Sequence, residues 1–179
     1  MSIKEVSLSS TIEVKIAWAE TSYQEFKEHF LRNKVIRDGL KGLKDAILLS
    51  RREMGETGIA RICTECEGRE GGSCCGAGLE NRYDGWLLLI NLLLGQEFPD
   101  TRHDEKSCFF LRETGCLLYA RHVICVNYLC KKITTRIDPQ KISRLREKEG
   151  RELERLFFLH EEVKRVLRAR FALEGELDR

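Results

Sequence analysis

Eight cysteines occupy the middle of this chain: Cys63 and Cys66, the adjacent pair Cys74 and Cys75, then Cys108, Cys116, Cys125 and Cys130. A thiol can fill a small apolar gap on any buried helix, so cysteines needed only for packing would scatter along the sequence. Their confinement points instead to chemistry shared among sulfurs. Tetrahedral zinc takes four thiolates or imidazoles, usually a close pair from one turn and a second pair from elsewhere, because a short loop orders two ligands at little entropic cost. Cys63-x2-Cys66 has that spacing. Redox motifs share it, but no βαβ pattern flanks it here. Consecutive side chains of an extended segment point to opposite sides, so Cys74 and Cys75 suit two different ions, or one ligand and one structural thiol, better than a single ion. Cys108, Cys116, Cys125 and Cys130 supply four more sulfurs. The eight make two four-thiolate sites, or one site plus spare cysteines, and spacing leaves the pairing open. An iron–sulfur cluster is the rival, since it too takes four cysteines, although these spacings match neither common ferredoxin run.

Other polar residues interleave with the thiols. Arg121 could donate to a sulfur or hold a carboxylate behind a ligand, or lie on the surface, whereas Tyr119 and Tyr128 are expected to pack with wet hydroxyls. His122 is the histidine inside the second cysteine group, and an imidazole can replace a thiolate, though eight thiols suffice. His29 and His103 lie outside both groups, and no serine, histidine and acid arrangement invites a nucleophilic mechanism. An open catalytic metal position would need an acid or base that the sequence does not single out, so enzymatic activity stays undecided. Gly71-Gly72-Ser73 and Gly76-Ala77-Gly78 lack the strand before and the lysine after that a phosphate-cradling loop requires. They read as room for backbone to fold closely around an ion.

Basic and acidic residues nearly balance, 31 against 29, so no nucleic-acid or anionic-membrane partner is expected. Were all eight cysteines to bind two divalent ions as thiolates, the formal charge would fall from +2 to about −2. Arg61, Arg69, Lys106, Arg112, Arg121, Lys131 and Lys132 flank the cysteines and could supply compensating cations. The first eight residues carry no basic segment leading into an apolar run, so no secretory signal is expected and a reducing cytoplasm is the default location. In that compartment a cysteine framework points to metal or catalysis before disulfides. The apolar run Trp86 to Leu94 is too short for a bilayer helix, which takes about 20 residues, and reads as a buried helix.

The elements that must hold these thiols are helices. Ile12, Ile16, Ala19, Tyr23 and Phe26 share a helix face, although Ile12, Val14, Ile16 and Trp18 also alternate as in a strand. Ser10 to Glu13 and Ser22 to Glu25 each have the capping-box spacing, and the earlier start is preferred. One or two helices should follow over 22–54, carrying Ile36, Leu40, Leu43 and Ile47, with Gly39 and Gly42 as weak points or close-packing sites. Met54 to Gly78 reads as a glycine-rich loop around an ion. A short helix is predicted from Asn81, capped by that residue, to Leu94, stopped by Gly95. Asp138-Pro139 then gives an N-cap and first-turn proline for a long helix over 138–173 bearing Ile142, Leu145, Leu153, Leu156, Val163, Leu167 and Phe171. His160, on its apolar stripe, is expected as a packed histidine. The expected fold class is mainly α: a single domain, 1–179, whose N-terminal (10–54) and C-terminal helices pack around a loop-rich, metal-organised cysteine centre, 60–132.

Cys63-x2-Cys66, Cys74-Cys75, Cys108-Phe109-Phe110-Leu111, Gly115-Cys116-Leu117-Leu118-Tyr119, Arg121, Cys125 and Tyr128-Leu129-Cys130 together resemble the YkgJ-type cysteine-cluster family, also called the CxxCxxCC or zinc- or iron-chelating domain. The resemblance covers Cys63 to Cys130. It implies that all eight cysteines bind metal, and a branch of the family resembles flagellin lysine methylases. This sequence departs from the family pattern at Phe109 and His122, where proline is common, and at Val126, where arginine is common. Every thiol is kept, so the departures bear on surface chemistry and partner choice. The expected function is a metal-binding protein holding zinc in four-thiolate sites, with a structural or interaction role and an unidentified protein partner. The alternative is an iron–sulfur protein of electron transfer, metal delivery or protein methylation.

Overall fold

The computed structural model describes residues 5–70 and 74–177, with side chains over 5–66 and 74–170. The first four residues, Gly71-Gly72-Ser73 and the side chains of Arg69 and Phe171 lie outside the described residues. The molecule is mainly helical, with one two-stranded antiparallel hairpin among the described residues.

Helix α1, Ile12–Arg32, buries Ile12, Ile16, Ala19, Phe26 and Phe30, the helical reading of a segment whose residues also alternate. It runs straight through Ser22 and Glu25, so the capping box expected there is interior sequence; Ser22 is buried in the helix. Asn33 breaks the rod. Its backbone is extended and its Oδ1 accepts from the Val35 and Ile36 N–H groups at 2.9 and 3.2 Å, which starts α2, Lys34–Thr57. Gly58, at φ 84°, ends it in a conformation that side chains with a Cβ avoid.

The glycine-rich stretch predicted as a loop is largely helix: α3 spans Ile59–Glu70. Gly58 redirects the chain without stopping it, and Ile59 and Ile62 find apolar partners in Ile133 and Leu145. Burial of one face outweighs weak local propensity. A 3-10 turn, Leu79–Arg82, precedes α4, Gly85–Leu93, whose cap is Asp84 rather than Asn81; Asp84 Oδ1 accepts from the Leu87 N–H at 2.7 Å. Every residue from Gly85 to Leu92 is buried, as expected for the apolar run. No helix among the described residues is long and apolar enough to cross a membrane.

The hairpin pairs β1, Leu111–Arg112, with β2, Gly115–Cys116. Helices α5, Val123–Asn127, and α6, Lys131–Arg136, follow, and α7 runs Pro139–Leu177. Asp138 Oδ1 accepts from the Gln140 N–H at 2.8 Å, the expected cap. Helices α2 and α7 lie antiparallel: Ser50 meets Glu152 while Gly39 faces Leu159. Both predicted glycines are close-packing sites. A Cβ on Gly39 would stand 3.1 Å from Leu159 Cδ1, and one on Gly42 would stand 2.5 Å from Arg155 Nη1.

Two hydrophobic clusters result among the described residues. The larger joins α1, α2, α4, the hairpin region and α7. The smaller consists of Ile59, Ile62, Ile133 and Leu145, binding α3 to α6 and the start of α7.

Candidate metal centre

The cysteines divide along the same line as the core. Cys108 is buried within the larger cluster, and Cys75, Cys116 and Cys125 pack against it; Cys130 packs against the smaller one. All eight side chains are thiols rather than disulfides.

Cys75 and Cys108 are brought side by side by backbone pairing. The Cys108 N–H donates to the Cys75 carbonyl at 2.6 Å, the Ala77 N–H to the Lys106 carbonyl at 2.8 Å, and Gly76 bridges Ser107. Buried Glu80 pins the two segments together, because one of its oxygens accepts from the Gly78 and Phe109 N–H groups at 3.0 and 3.4 Å while the other pairs with Arg102. Burial by itself would raise the Glu80 carboxyl; its hydrogen bonds, that from Arg102 foremost, hold it below the ordinary value. Cys108 leads into β1 and Cys116 ends β2, so the hairpin carries both. Gly115, at φ 109°, permits its turn.

The segment from Ala120 to Cys125 is hung from α4. Asn91, fully buried, donates to the Leu87 and Ala120 carbonyls at 2.9 Å each and accepts from the Ala120 N–H at 3.0 Å. Tyr83, just before α4, accepts from the His122 N–H at 3.0 Å and turns its hydroxyl toward Cys125 Sγ at 3.6 Å. His122 uses Nδ1 to cap α5, accepting from the Ile124 N–H at 3.2 Å.

Burial pushes the Cys108 thiol up to about 12, with Glu80, Cys116 and Cys75 adding to the rise and the Phe110 N–H opposing it. Burial likewise raises Cys116, against the Leu118 N–H and the Arg121 charge. At both cysteines the amide two residues on is aimed at the sulfur, the kind of donor that supports a thiolate once a cation has displaced its proton. Arg121 Nε is buried and has no hydrogen-bond partner among the described residues. Arg51, at the end of α2, donates to the Leu118 and Tyr119 carbonyls and lies close enough to Cys116, Arg121 and Glu152 for their charges to act on it.

The second group sits on α3, α6 and the chain between. Cys63 and Cys66 are one turn apart on α3 and so share a face. Cys74 is raised first by burial, then by neighbouring Cys130 and Cys66, and hydrogen-bonds Cys130. Lys132 donates to Cys66 Sγ at 3.4 Å. Cys130 stands at the N-cap of α6.

No group of three or more His, Cys, Asp or Glu side chains among the described residues is arranged as it would be around a metal ion. The eight sulfurs do not form one cluster. The donor chemistry nevertheless fits a soft cation, being sulfur with amide, guanidinium and ammonium groups turned toward it.

No protein-family model, curated protein or solved structure matches this chain.

Of the expected cations, Arg121 and Lys132 lie beside thiols, whereas Arg112 donates to the Leu111 and Thr101 carbonyls and braces the hairpin. Sequence reasoning missed Arg51, Glu80, Tyr83 and Asn91. None has a spacing signal, because each meets partners well outside its own element: Arg51 meets Leu118, Glu80 meets Arg102 and Phe109, Tyr83 meets His122, and Asn91 meets Ala120. Glu149 and Glu152 were also missed; both are buried on α7 in line with its apolar stripe. His160, expected as a packed histidine, pairs with Asp84 at 3.1 Å.

Proposed function

We propose that this protein binds zinc through its cysteines in two four-thiolate sites, Cys75, Cys108, Cys116 and Cys125 in one and Cys63, Cys66, Cys74 and Cys130 in the other, with a structural and interaction role. The supporting observation is the fork at Cys74-Cys75: Cys75 packs against the main core and is paired through its backbone to Cys108, whereas Cys74 lies near Cys130 and Cys66, which raise its thiol. The resemblance to the cysteine-cluster family agrees with this reading. Bound zinc would neutralise sulfurs that burial otherwise keeps protonated and would tie together segments far apart in sequence. Arg51 and Arg121 would offset the negative charge of the first site, and Lys132 that of the second. Four thiolates leave zinc no open position, which favours a closed site over a catalytic one.

The interaction role is supported by α5. Val123, Ile124 and Tyr128 flank Cys125 and are 46%, 42% and 58% exposed, an apolar fringe beside the first site suited to a protein partner.

Metal analysis of protein purified without air tests the proposal. The expected result is a colourless sample with about two zinc ions per chain. A brown sample containing iron and sulfide, absorbing near roughly 400 nm, would replace it with the iron–sulfur reading.

A further inference from the structure

We infer that Glu152 is a proton-binding site in the seam between α2 and α7: the folded protein holds it as a neutral carboxylic acid, and loss of that proton loosens the seam. Neither zinc nor any cysteine enters into this.

Glu152 is fully buried on α7, and Ser50, which meets it from α2, is 1% exposed. One carboxyl oxygen, Oε2, bonds the Ser50 hydroxyl, while Oε1 has no hydrogen-bond partner among the described residues. An ionised carboxylate so placed would rest a buried charge on a single neutral hydroxyl, whereas the acid form needs only an acceptor for its proton. Ser50 supplies that acceptor. Its Oγ also stands 3.1 Å from the Ile47 carbonyl, and a hydroxyl has one proton to give. A carboxylate would compete with Ile47 for it. A neutral Glu152 ends the competition, because it donates to Ser50 Oγ and leaves the Ser50 proton for Ile47.

The charged groups around Glu152 do not reverse this. Arg51 on α2 and Arg121 on the segment before α5 favour ionisation, and Glu149, one turn earlier on α7 and paired with Arg146 at 2.8 Å, opposes it by like charge. Arg51 is engaged with the Leu118 and Tyr119 carbonyls, and the buried Nε of Arg121 bonds no described residue. Burial outweighs the cations and lifts the Glu152 carboxyl above its ordinary 4.5. The unfolded chain therefore releases this proton at lower pH than the folded one, and stability falls as pH rises across the interval between them.

The test compares the full chain as purified with its Glu152→Gln and Glu149→Gln variants by infrared spectroscopy and thermal melts. At about pH 6.5, where exposed carboxyls are ionised, the parent should show a protonated-carboxyl C=O band that Glu152→Gln weakens and Glu149→Gln retains. Gln is neutral and can donate to Ser50. The melting temperature of Glu152→Gln should accordingly match the parent near pH 4.5 and then exceed it by a margin growing roughly 3–5 °C per pH unit across the interval. Should Glu152→Gln fail to fold, the band in Glu149→Gln decides alone. Absence of that band, or a margin that stays flat or turns against the variant as pH rises, would show Glu152 to be ionised beside the two arginines and overturn the inference.

Discussion

Asn91 and Asp84 show how much single polar side chains decide here. Asn91 replaces two missing backbone partners of Ala120, so Asn91→Leu keeps the volume but strands a buried N–H and a buried C=O. Two orphaned groups should cost about 2–4 kcal/mol, read as a lower denaturant midpoint with unchanged slope. Asp84 caps α4 and also holds His160. Burial opposes both charges, yet the pair prevails: the carboxyl lies below 3.8, helped by His160 and the Leu87 N–H, and the imidazole lies above 6.5, helped by Asp84. The carboxyl's contribution is lost as pH falls through its lowered value, and the imidazole's as pH rises through its raised one. Lys15, His122 and Lys164 also interact electrostatically with Asp84, and Glu161 lies 3.4 Å from His160 Nδ1. Asp84→Asn retains a capping oxygen but not the charge. Its melting temperature should trail the parent most at about pH 4–6.5 and approach it as pH rises through the raised imidazole value, a trend that thermal melts across that range would check.

Helix contacts set a second level of discrimination, in which equal substitutions have unequal effects. A Cβ on Gly85 would stand 2.5 Å from the Trp18 ring, which packs edge-on against Trp86 with centroids 4.9 Å apart. The rings cannot step aside, so Gly85→Ala should destabilise by about 1–3 kcal/mol. At Gly42 the obstacle is the tip of Arg155, a flexible side chain at the surface. Gly42→Ala should therefore be neutral or gain up to about 1 kcal/mol of helix propensity. Urea unfolding of both variants separates the cases. Sequence reading was informative at Gly42, as at Gly39, since glycines on an otherwise periodic face read as weak points or close-packing sites and both proved to be the latter. It failed at α3, because the turn formers around it are local signals, whereas Ile59 and Ile62 owe their burial to Ile133 and Leu145, which no local pattern reveals.

At the scale of the whole molecule the helices of the main cluster do not depend on the cysteines for most of their burial. Phe26, Phe30, Leu43, Leu88, Leu89, Leu156 and Val163 make that core from α1, α2, α4 and α7. Stripping metal with a strong chelator should consequently leave the far-ultraviolet circular dichroism mostly intact while trypsin gains access between about residues 59 and 137, where the zinc proposal places both sites. Wholesale loss of helix would show the core to be weaker than its packing indicates, and an unchanged digest would count against metal as a fastening of the centre.

By itself the sequence determined that the chain is mainly helical, that the apolar run is buried and where the last helix begins. Those properties follow from periodicity, capping chemistry and residue type, all of which act over a turn or two. Only the tertiary structure decided that Met54 to Gly78 is mostly helix, that Cys74 and Cys75 have different neighbours, that Arg51, Glu80 and Tyr83 lie near thiols, and that Asn91 holds Ala120. Tyr83 reaches Cys125 across 42 residues of chain. Such meetings come from how buried faces stack, and a stacking energy belongs to both partners at once, so neither stretch of sequence carries it alone.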